Sequence, residues 1–140
     1  MREKKLVYVP MAADIVHQGH INIIKTAAAY GEVMVGLFTD EAIKTYKNPP
    51  YLNYETRKIV IENIKGVSEV VPQETKDYAA NLLKYKPDYM VHGTDWREGP
   101  LADVRAKAIA LMEQWGGKVI EPEYTKGISS SAIKKKIKES

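Results

Sequence analysis

Short apolar runs alternate along the chain with longer stretches in which apolar residues recur at helical spacing. The runs that predict strands cover residues 6–9, 33–38, 67–71, 89–92 and 118–120. The stretches that predict helices cover residues 21–30, 41–45, 54–64, 78–85, 101–115 and 131–138. Strands that alternate with helices in this way indicate a parallel sheet with helices on both faces. The pattern therefore predicts an α/β fold, a Rossmann-like doubly wound sheet of five parallel strands in a single domain.

Residues that typically begin or end helices support these boundaries and predict one loop. Asn53 can cap the helix that follows it, and Gly66 can end that helix. The run Asn48-Pro49-Pro50 cannot be helical, so residues 44–52 are expected to form a loop over the edge of the sheet. The 140 residues suit one domain, and the basic C-terminal end leaves open that this domain is excised from a longer chain.

Composition excludes several classes of function. The chain has no cysteine, which rules out disulfides, thiol catalysis and thiolate metal sites. No apolar run approaches the ~20 residues that a membrane span needs, and the N-terminus lacks a secretory signal pattern, so we expect a cytoplasmic protein with no membrane partner. The formal net charge of +3 is too small to indicate nucleic-acid binding, and the lysines at residues 134–138 are typical of a solvated helix face.

Two histidines lie at the junction of the first strand and the first helix, in the sequence His17-Gln18-Gly19-His20. The start of a helix presents unpaired backbone N–H groups and the positive end of the helix dipole, which together attract anions. The imidazoles add donors at this point, and Gly19 lets the backbone approach a phosphate without a Cβ. Two surface histidines, or one that caps the helix, would explain the residues more simply. The strand–turn–helix context favours a site for the triphosphate of a nucleotide.

A serine-rich segment, Gly127-Ile128-Ser129-Ser130-Ser131, precedes the last predicted helix. One of its serines is expected to be the N-cap of that helix. The hydroxyl and N–H groups of the same helix start are also expected to hold the β- and γ-phosphates of a nucleotide. The two interpretations are compatible, because an open helix start both needs a cap and attracts an anion.

These motifs, together with two others, resemble those of the small cytidylyltransferases in the H-x-G-H nucleotidyltransferase superfamily, such as glycerol-3-phosphate cytidylyltransferase. His17-x-Gly19-His20 matches the signature, and Arg57 matches the arginine of the family's E-x-R-K helix. Residues 91–96 are similar to the family's V-x-G-D-D-W segment, and the serine-rich segment is similar to G-I-S-T-[ST]. The four motifs follow one another in the family's order over nearly the whole chain.

The resemblance implies a catalytic group at the edge of the sheet. His17 and His20 would stabilise the charge that develops during transfer of a nucleotidyl group. A lysine of the loop before the proline pair would reach the α-phosphate; Lys44 and Lys47 are the two candidates, and position favours Lys47. Ser130 would complete the group from the start of the last helix.

The resemblance also implies the surroundings of the two substrates. The residues expected around the nucleotide are Met11, Ala12, Ala13, Gly19, His92, Gly93, Asp95, Trp96, Ile128, Ser129 and Ser131. Arg57 is expected on the acceptor side, because a planar guanidinium suits a phosphonate or phosphate, and Tyr46 and Tyr51 would line the same side. Asp14 follows the first strand and is the candidate ligand for Mg²⁺, which prefers oxygen ligands.

The chain departs from the family's usual pattern at several positions. Residues 11–14 read Met-Ala-Ala-Asp where the family has G-T-F-D, Thr94 replaces an aspartate, and Tyr124 and Lys126 replace an arginine and an acid. The Met-Ala-Ala-Asp form resembles the cytidylyltransferase domain attached to phosphoenolpyruvate mutase in fosfomycin-type phosphonate pathways. That resemblance implies 2-hydroxyethylphosphonate as the acceptor and leaves open a fusion to a mutase in nature.

The expected reaction transfers CMP from CTP to a small phosphonate or phosphate acceptor and releases pyrophosphate, with Mg²⁺ as the cofactor. The acceptor oxygen is ionised near neutral pH, so no general base is required. Catalysis would then rest on positioning and on charge stabilisation. Because family members are commonly homodimers, a homodimer is also expected.

Several alternatives stay open on the sequence alone. Glycerol-3-phosphate or another phosphomonoester could replace the phosphonate, and ATP could replace CTP, because H-x-G-H is shared with adenylyltransferases. The departures at Met11 and Tyr124 also fit a nucleotide-binding regulatory module without turnover. An RNA-binding domain is disfavoured, because aromatic residues are not interleaved with the charges of the basic tail.

Overall fold

The computed structural model describes residues 4–45, 48–123 and 130–139. The predictions for Tyr46, Lys47, Ile128 and Ser129, and those for the side chains of Ser130 and Ser131, lie outside the described residues. Within these ranges, no helix is both long enough and apolar enough to cross a membrane.

The described residues form one sheet covered by helices. The strands are β1 (Leu6–Met11), β2 (Glu32–Phe38), β3 (Val67–Gln73), β4 (Tyr89–Val91) and β5 (Lys118–Ile120). The helices are α1 (Gln18–Ala28), α2 (Asp40–Lys44), α3 (Tyr54–Glu62), α4 (Ala79–Tyr85), α5 (Ala102–Glu113) and α6 (Ser130–Glu139), with short 3₁₀ turns at Thr94–Trp96 and Gly99–Leu101. The strands are all parallel, in the order β3-β2-β1-β4-β5. This order confirms the predicted Rossmann-like α/β fold with five parallel strands.

Apolar side chains pack on both faces of the sheet, as a doubly wound arrangement requires. On one face Val9 of β1 packs with Ile24 of α1 and Ile61 of α3. On the other face Tyr8, the neighbouring residue, packs with Leu82 of α4. β2 is buried along nearly its whole length, which explains its near-continuous apolar sequence.

Two of the candidate motifs, those of His17 and His92, lie where the order of the strands reverses. β1 lies between β2 and β4, so successive crossovers leave it in opposite directions. In sheets of this kind, ligands bind at the carboxyl ends of the strands beside such a reversal. His17 follows β1 and His92 follows β4, so both belong to this edge of the sheet.

β1 continues two residues beyond its predicted end at residue 9, through Pro10 to Met11. Pro10 pairs with Gly36 of β2, whereas β4 pairs with β1 only as far as Tyr8. The proline therefore lies beyond the part of β1 that has a neighbour on both sides, where a missing N–H group costs little. This extension carries β1 up to the residues that begin the candidate site.

A buried polar network lies on the face of the sheet that α4 covers, and it explains why position 36 is a glycine. The Tyr8 hydroxyl donates to Gln73 Oε1 and accepts from Asn81 Nδ2 at 2.8 Å. Burial raises the pKa of Tyr8 well above its ordinary value, so the hydroxyl remains a donor. Gly36 faces this hydroxyl so closely that a Cβ added there would lie 1.9 Å from it.

Gly36→Ala is expected to destabilise the fold by about 1–3 kcal/mol, because the methyl group would displace Tyr8 and disturb its hydrogen bonds. Chemical denaturation followed by circular dichroism measures this change. Ser68→Ala, at an exposed position on β3, serves as the control and should change the free energy of unfolding by less than about 0.5 kcal/mol. Equal stability of the two variants would contradict the predicted close contact.

Candidate active site

His17 and His20 cap α1 reciprocally. His17 is the N-cap residue, with an extended backbone, and its Nδ1 accepts from the backbone N–H of Gly19 at 3.0 Å. His20 Nδ1 accepts from the backbone N–H of His17 at 3.1 Å. The arrangement is a capping box in which two imidazoles take the places of the usual serine and glutamate. The capping interpretation is therefore confirmed for both rings, and the anion-site interpretation stays a prediction.

The capping bonds fix the tautomer of both rings. Because each Nδ1 accepts a hydrogen bond, each neutral ring carries its hydrogen on Nε2. Burial lowers the pKa of His17 below its ordinary value, which favours this neutral form. The ring centroids are 4.3 Å apart. The start of α1 thus carries two neighbouring imidazoles, each with an Nε2–H donor whose orientation the helix backbone determines.

The lowered pKa of His17 makes the stability of the fold depend on pH. In the unfolded chain the ring gains a proton near its ordinary pKa of about 6.5, whereas in the folded protein it does so at lower pH. Stability is therefore expected to fall as the pH decreases from about 6.5 through the pKa of the folded state.

His17→Asn, which keeps a good N-cap and does not titrate in this range, should show a smaller loss of stability. Urea denaturation of both proteins between pH 5 and 7.5 measures the difference. Parallel curves for the two proteins would show that His17 has the same pKa in both states.

Asp14 does not fit the predicted role of metal ligand. Its carboxylate is fully buried and accepts from the backbone N–H groups of Tyr51 and Leu52 at 2.9 and 3.0 Å. It also accepts from Lys134 Nζ at 2.6 Å. Burial raises the pKa of Asp14, but the bonds from Lys134 and the two amides outweigh that effect and lower it below its ordinary value. A carboxylate that already holds an ammonium and two amides is a poor ligand for Mg²⁺.

The metal prediction finds no other support among the side chains described. In residues 4–45, 48–123 and 132–139, no group of three or more histidine, aspartate or glutamate side chains is arranged to hold a metal ion. The described donor set therefore does not fit a cation held by the protein alone.

Arg57 is an internal residue, contrary to the prediction that it contacts the acceptor. Its side chain is completely buried. The guanidinium donates to the carbonyls of Leu52, Ala12 and Phe38 at 2.9, 2.8 and 2.7 Å. It also donates to Asp40 at 2.7 Å. These bonds join the ends of β1 and β2, the start of α2 and the loop before α3. The guanidinium therefore has a structural role, because it bonds to groups of this chain.

Arg57 and Asp14 act on the same short loop. Leu52 donates its N–H group to Asp14 and accepts at its carbonyl from Arg57. The loop at residues 48–53 is therefore held from both sides, over the carboxyl ends of β1 and β2. Tyr51, 46% exposed, projects from this loop, and its ring centroid lies 5.1 Å from Lys134 Nζ. Its predicted contact with the acceptor stays a prediction.

The side chains at the carboxyl end of β1 are apolar and mostly buried. Met11 and Ala13 are buried, and the carbonyl of Ala12 accepts from Arg57. Ala13 has a left-handed backbone (φ 55°), a conformation that costs a residue with a Cβ about 1–2 kcal/mol. The predicted nucleotide contacts of these three residues and of Gly19 stay predictions.

The residues after β4 form a stacked aromatic cluster. The His92 ring lies 3.7 Å from the Trp96 ring at an angle of 6°. His92 Nδ1 donates to the carbonyl of Gly93 at 2.8 Å, and its Nε2 lies 3.4 Å from the Tyr78 hydroxyl. Burial lowers the pKa of His92, so the ring is neutral near pH 7. Asp95 is exposed beside it, with Oδ1 3.7 Å from His92 Nδ1.

Trp96 packs against His92 inside the protein, so the prediction that it contacts the nucleotide is wrong. The side chain is fully buried, so no face of the indole is open to a base. Its Nε1–H group donates to Glu121 at 2.6 Å. Trp96 therefore fixes the position of His92 by stacking on it.

Glu121 was not found from the sequence, although it organises this part of the sheet edge. It directly follows β5, and its carboxylate accepts from Trp96, Arg97 and Arg105. The bonds from Arg105, and then from Trp96 and Arg97, lower the pKa of Glu121 to about 2 against the opposing effect of burial. Its place just after a strand, at the end of the sheet where the motifs lie, was the available signal.

Lys44, one of the two candidate loop lysines, lies at the C-terminal end of α2. It is half exposed and pairs with Glu41 on the same helix at 3.3 Å. An exposed pair of this kind contributes less than about 1 kcal/mol to stability. Lys44 could therefore exchange the Glu41 carboxylate for a phosphate at little cost. Lys47, favoured from the sequence, lies outside the described residues, and both catalytic assignments stay predictions.

A comparison with protein families decides the class to which this chain belongs. The family model described as "Cytidylyltransferase-like" matches residues 12–136, which include His17, His20 and Arg57. The chain belongs to the cytidylyltransferase-like family. This membership confirms, at the level of the family, the nucleotidyltransferase predicted from the sequence.

Individual relatives agree with this membership. The glycerol-3-phosphate cytidylyltransferase of Bacillus subtilis (strain 168) is 32% identical over 126 residues, which are 89% of this chain and 90% of that protein. The ethanolamine-phosphate cytidylyltransferase of Arabidopsis thaliana is 31% identical over 138 residues. That match covers 94% of this chain but only 32% of the plant protein, so the chain spans about a third of that relative's length.

A solved structure supports the fold independently. The lipopolysaccharide core biosynthesis protein from Thermoplasma volcanium GSS1 matches this chain with a TM-score of 0.71, over 89% of this chain and 99% of that chain. The sequence identity is 21%, so this likeness shows the fold alone. It agrees with the parallel five-stranded sheet described above.

Proposed function

We propose that the chain is a cytidylyltransferase that transfers CMP from CTP to a small anionic acceptor and releases pyrophosphate. The observation that carries this proposal is the reciprocal capping of α1 by His17 and His20, beside the reversal of strand order at β1. Membership of the cytidylyltransferase-like family, and relatives named as cytidylyltransferases, support the choice of CTP.

The geometry suits stabilisation of charge on a triphosphate. An ionised acceptor oxygen attacks the α-phosphorus, the bond from that phosphorus to the bridging oxygen breaks, and pyrophosphate leaves with the electron pair. Negative charge then grows on the oxygens of the leaving group, where fixed donors lower the barrier most. His17 and His20 supply two such donors, held in place by their bonds to the backbone of α1. The ionised acceptor needs no base.

Mg²⁺ enters the proposal as a counter-ion of CTP. Asp14 is committed to Lys134 and to the loop at residues 48–53, so we assign no protein ligand to the metal ion. Lysines of the site, with Lys44 the candidate among the described residues, would neutralise further phosphate charge.

The acceptor we propose first is 2-hydroxyethylphosphonate, because the Met-Ala-Ala-Asp sequence at residues 11–14 resembles the domain fused to phosphoenolpyruvate mutase. A phosphomonoester is the alternative, since two relatives are named for glycerol-3-phosphate and ethanolamine phosphate. With Arg57 internal, Tyr51 is the predicted acceptor-side residue that the structure describes at the surface. A homodimer, a cytoplasmic location and a fusion to a mutase remain parts of the proposal.

Pyrophosphate release with each of the four nucleoside triphosphates tests the reaction class. The acceptors to be supplied are 2-hydroxyethylphosphonate, glycerol-3-phosphate and ethanolamine phosphate, with Mg²⁺ present. We expect release with CTP only, and only when an acceptor is present. Release with ATP alone would replace the cytidylyl proposal by an adenylyl one. Nucleotide binding without release for any acceptor would indicate the regulatory module.

A further inference from the structure

We propose that Lys134 is a positioning residue, whose ion pair with Asp14 holds α6 against the turn between β1 and α1. The expected consequence is that the affinity for CTP depends on this ion pair, and that consequence rests on the proposed function. Lys134 Nζ lies 2.6 Å from Asp14 Oδ2, and the two residues are 120 positions apart in the chain. The pair therefore joins the C-terminal helix to the first strand of the sheet.

The surroundings make this contact stronger than an ordinary surface pair. The Asp14 side chain is completely buried, and only 20% of the Lys134 side chain is exposed. Both oxygens of Asp14 also accept backbone N–H groups from the loop at residues 48–53, so the carboxylate has a fixed orientation. Removal of the lysine would leave a buried carboxylate without its counter-charge, which is costly in proteins.

Lys134 is one of the two least exposed residues in the part of α6 whose side chains the structure describes. Among residues 132–139 only Ile133 and Lys134 are partly buried, and the remaining residues are exposed. An ion pair shielded from water in this way is expected to contribute much of the preference of α6 for the docked position. Loss of the ion pair should therefore raise the fraction of molecules in which α6 is undocked.

The position of α6 matters because its start, at Ser130, is the predicted contact for the phosphates of CTP. If only docked molecules bind CTP well, the apparent affinity falls in proportion to the docked fraction. Saturating CTP draws α6 back into place, so the KM changes more than kcat.

The test compares Lys134→Met with Lys135→Met, a matched change at the next and exposed position of the same helix. We expect Lys134→Met to raise the KM for CTP about tenfold with kcat changed less than about threefold. Lys135→Met should leave both within about twofold of the wild type. Lys134→Arg, which keeps the charge, should recover most of the affinity.

Amide hydrogen exchange of ligand-free protein gives a second measurement that does not depend on turnover. Exchange within residues 130–139 should accelerate in Lys134→Met and not in Lys135→Met. Unchanged exchange in Lys134→Met, or accelerated exchange with an unchanged KM, would overturn the proposal. Wild-type protein without turnover would overturn the proposed function, and the exchange comparison would still decide whether Lys134 docks α6.

Discussion

His17→Ala and His20→Ala are each expected to lower kcat about 10²–10³-fold while CTP still binds. Each substitution removes an Nε2–H donor that the capping bonds orient, together with one of the two caps of α1. Steady-state turnover measured as pyrophosphate release, with CTP binding measured by calorimetry, separates the chemical step from affinity. If both variants retained full turnover, the imidazoles would be caps only.

His17→Asn separates the two roles of the first ring. Asparagine is a good N-cap, so α1 should remain about as stable as in the wild type. It lacks the imidazole Nε2–H group, so turnover should fall as in His17→Ala. A His17→Asn variant with wild-type turnover would assign the effect of alanine to loss of the cap.

Arg57→Met is expected to lower the free energy of unfolding by about 3–5 kcal/mol, enough to unfold much of a marginally stable domain. The substitution removes the buried guanidinium that donates to three backbone carbonyls and to the Asp40 carboxylate. Urea denaturation followed by circular dichroism measures the loss. Lys58→Met, at the next position of α3, is the control and should cost less than about 0.5 kcal/mol.

The opposite result for Arg57→Met has a clear meaning. A variant as stable as the wild type, but with a raised KM for the acceptor, would support the predicted contact between Arg57 and the acceptor. The burial of Arg57 makes that outcome unexpected.

The fold could be predicted because local signals agreed along the chain. Apolar runs and helical spacing gave the order of the elements, and caps such as Asn53 placed the helix starts within a few residues of their observed positions. The extension of β1 through Pro10 could not be predicted, because it depends on where β4 stops pairing. That information is absent from the local sequence.

The candidate site was predictable only in part, for a chemical reason. A guanidinium binds carbonyls as readily as phosphates, and a carboxylate binds an ammonium as readily as Mg²⁺. The sequence alone therefore could not place Arg57 and Asp14 inside the scaffold. Glu121 belongs to no local motif, and its role follows from contacts with residues 16 to 25 positions away. The histidine pair was recognisable because both residues and the helix that they cap are adjacent in the chain.

The most direct test of the central claim is ³¹P NMR of the wild-type protein with CTP and Mg²⁺. The three acceptors to be supplied are 2-hydroxyethylphosphonate, glycerol-3-phosphate and ethanolamine phosphate. We predict that one of them forms a CMP-linked product, with an equal amount of pyrophosphate, and that the product is absent with His20→Ala over the same time. Intact CTP with every acceptor, or equal product from His20→Ala, would contradict the account.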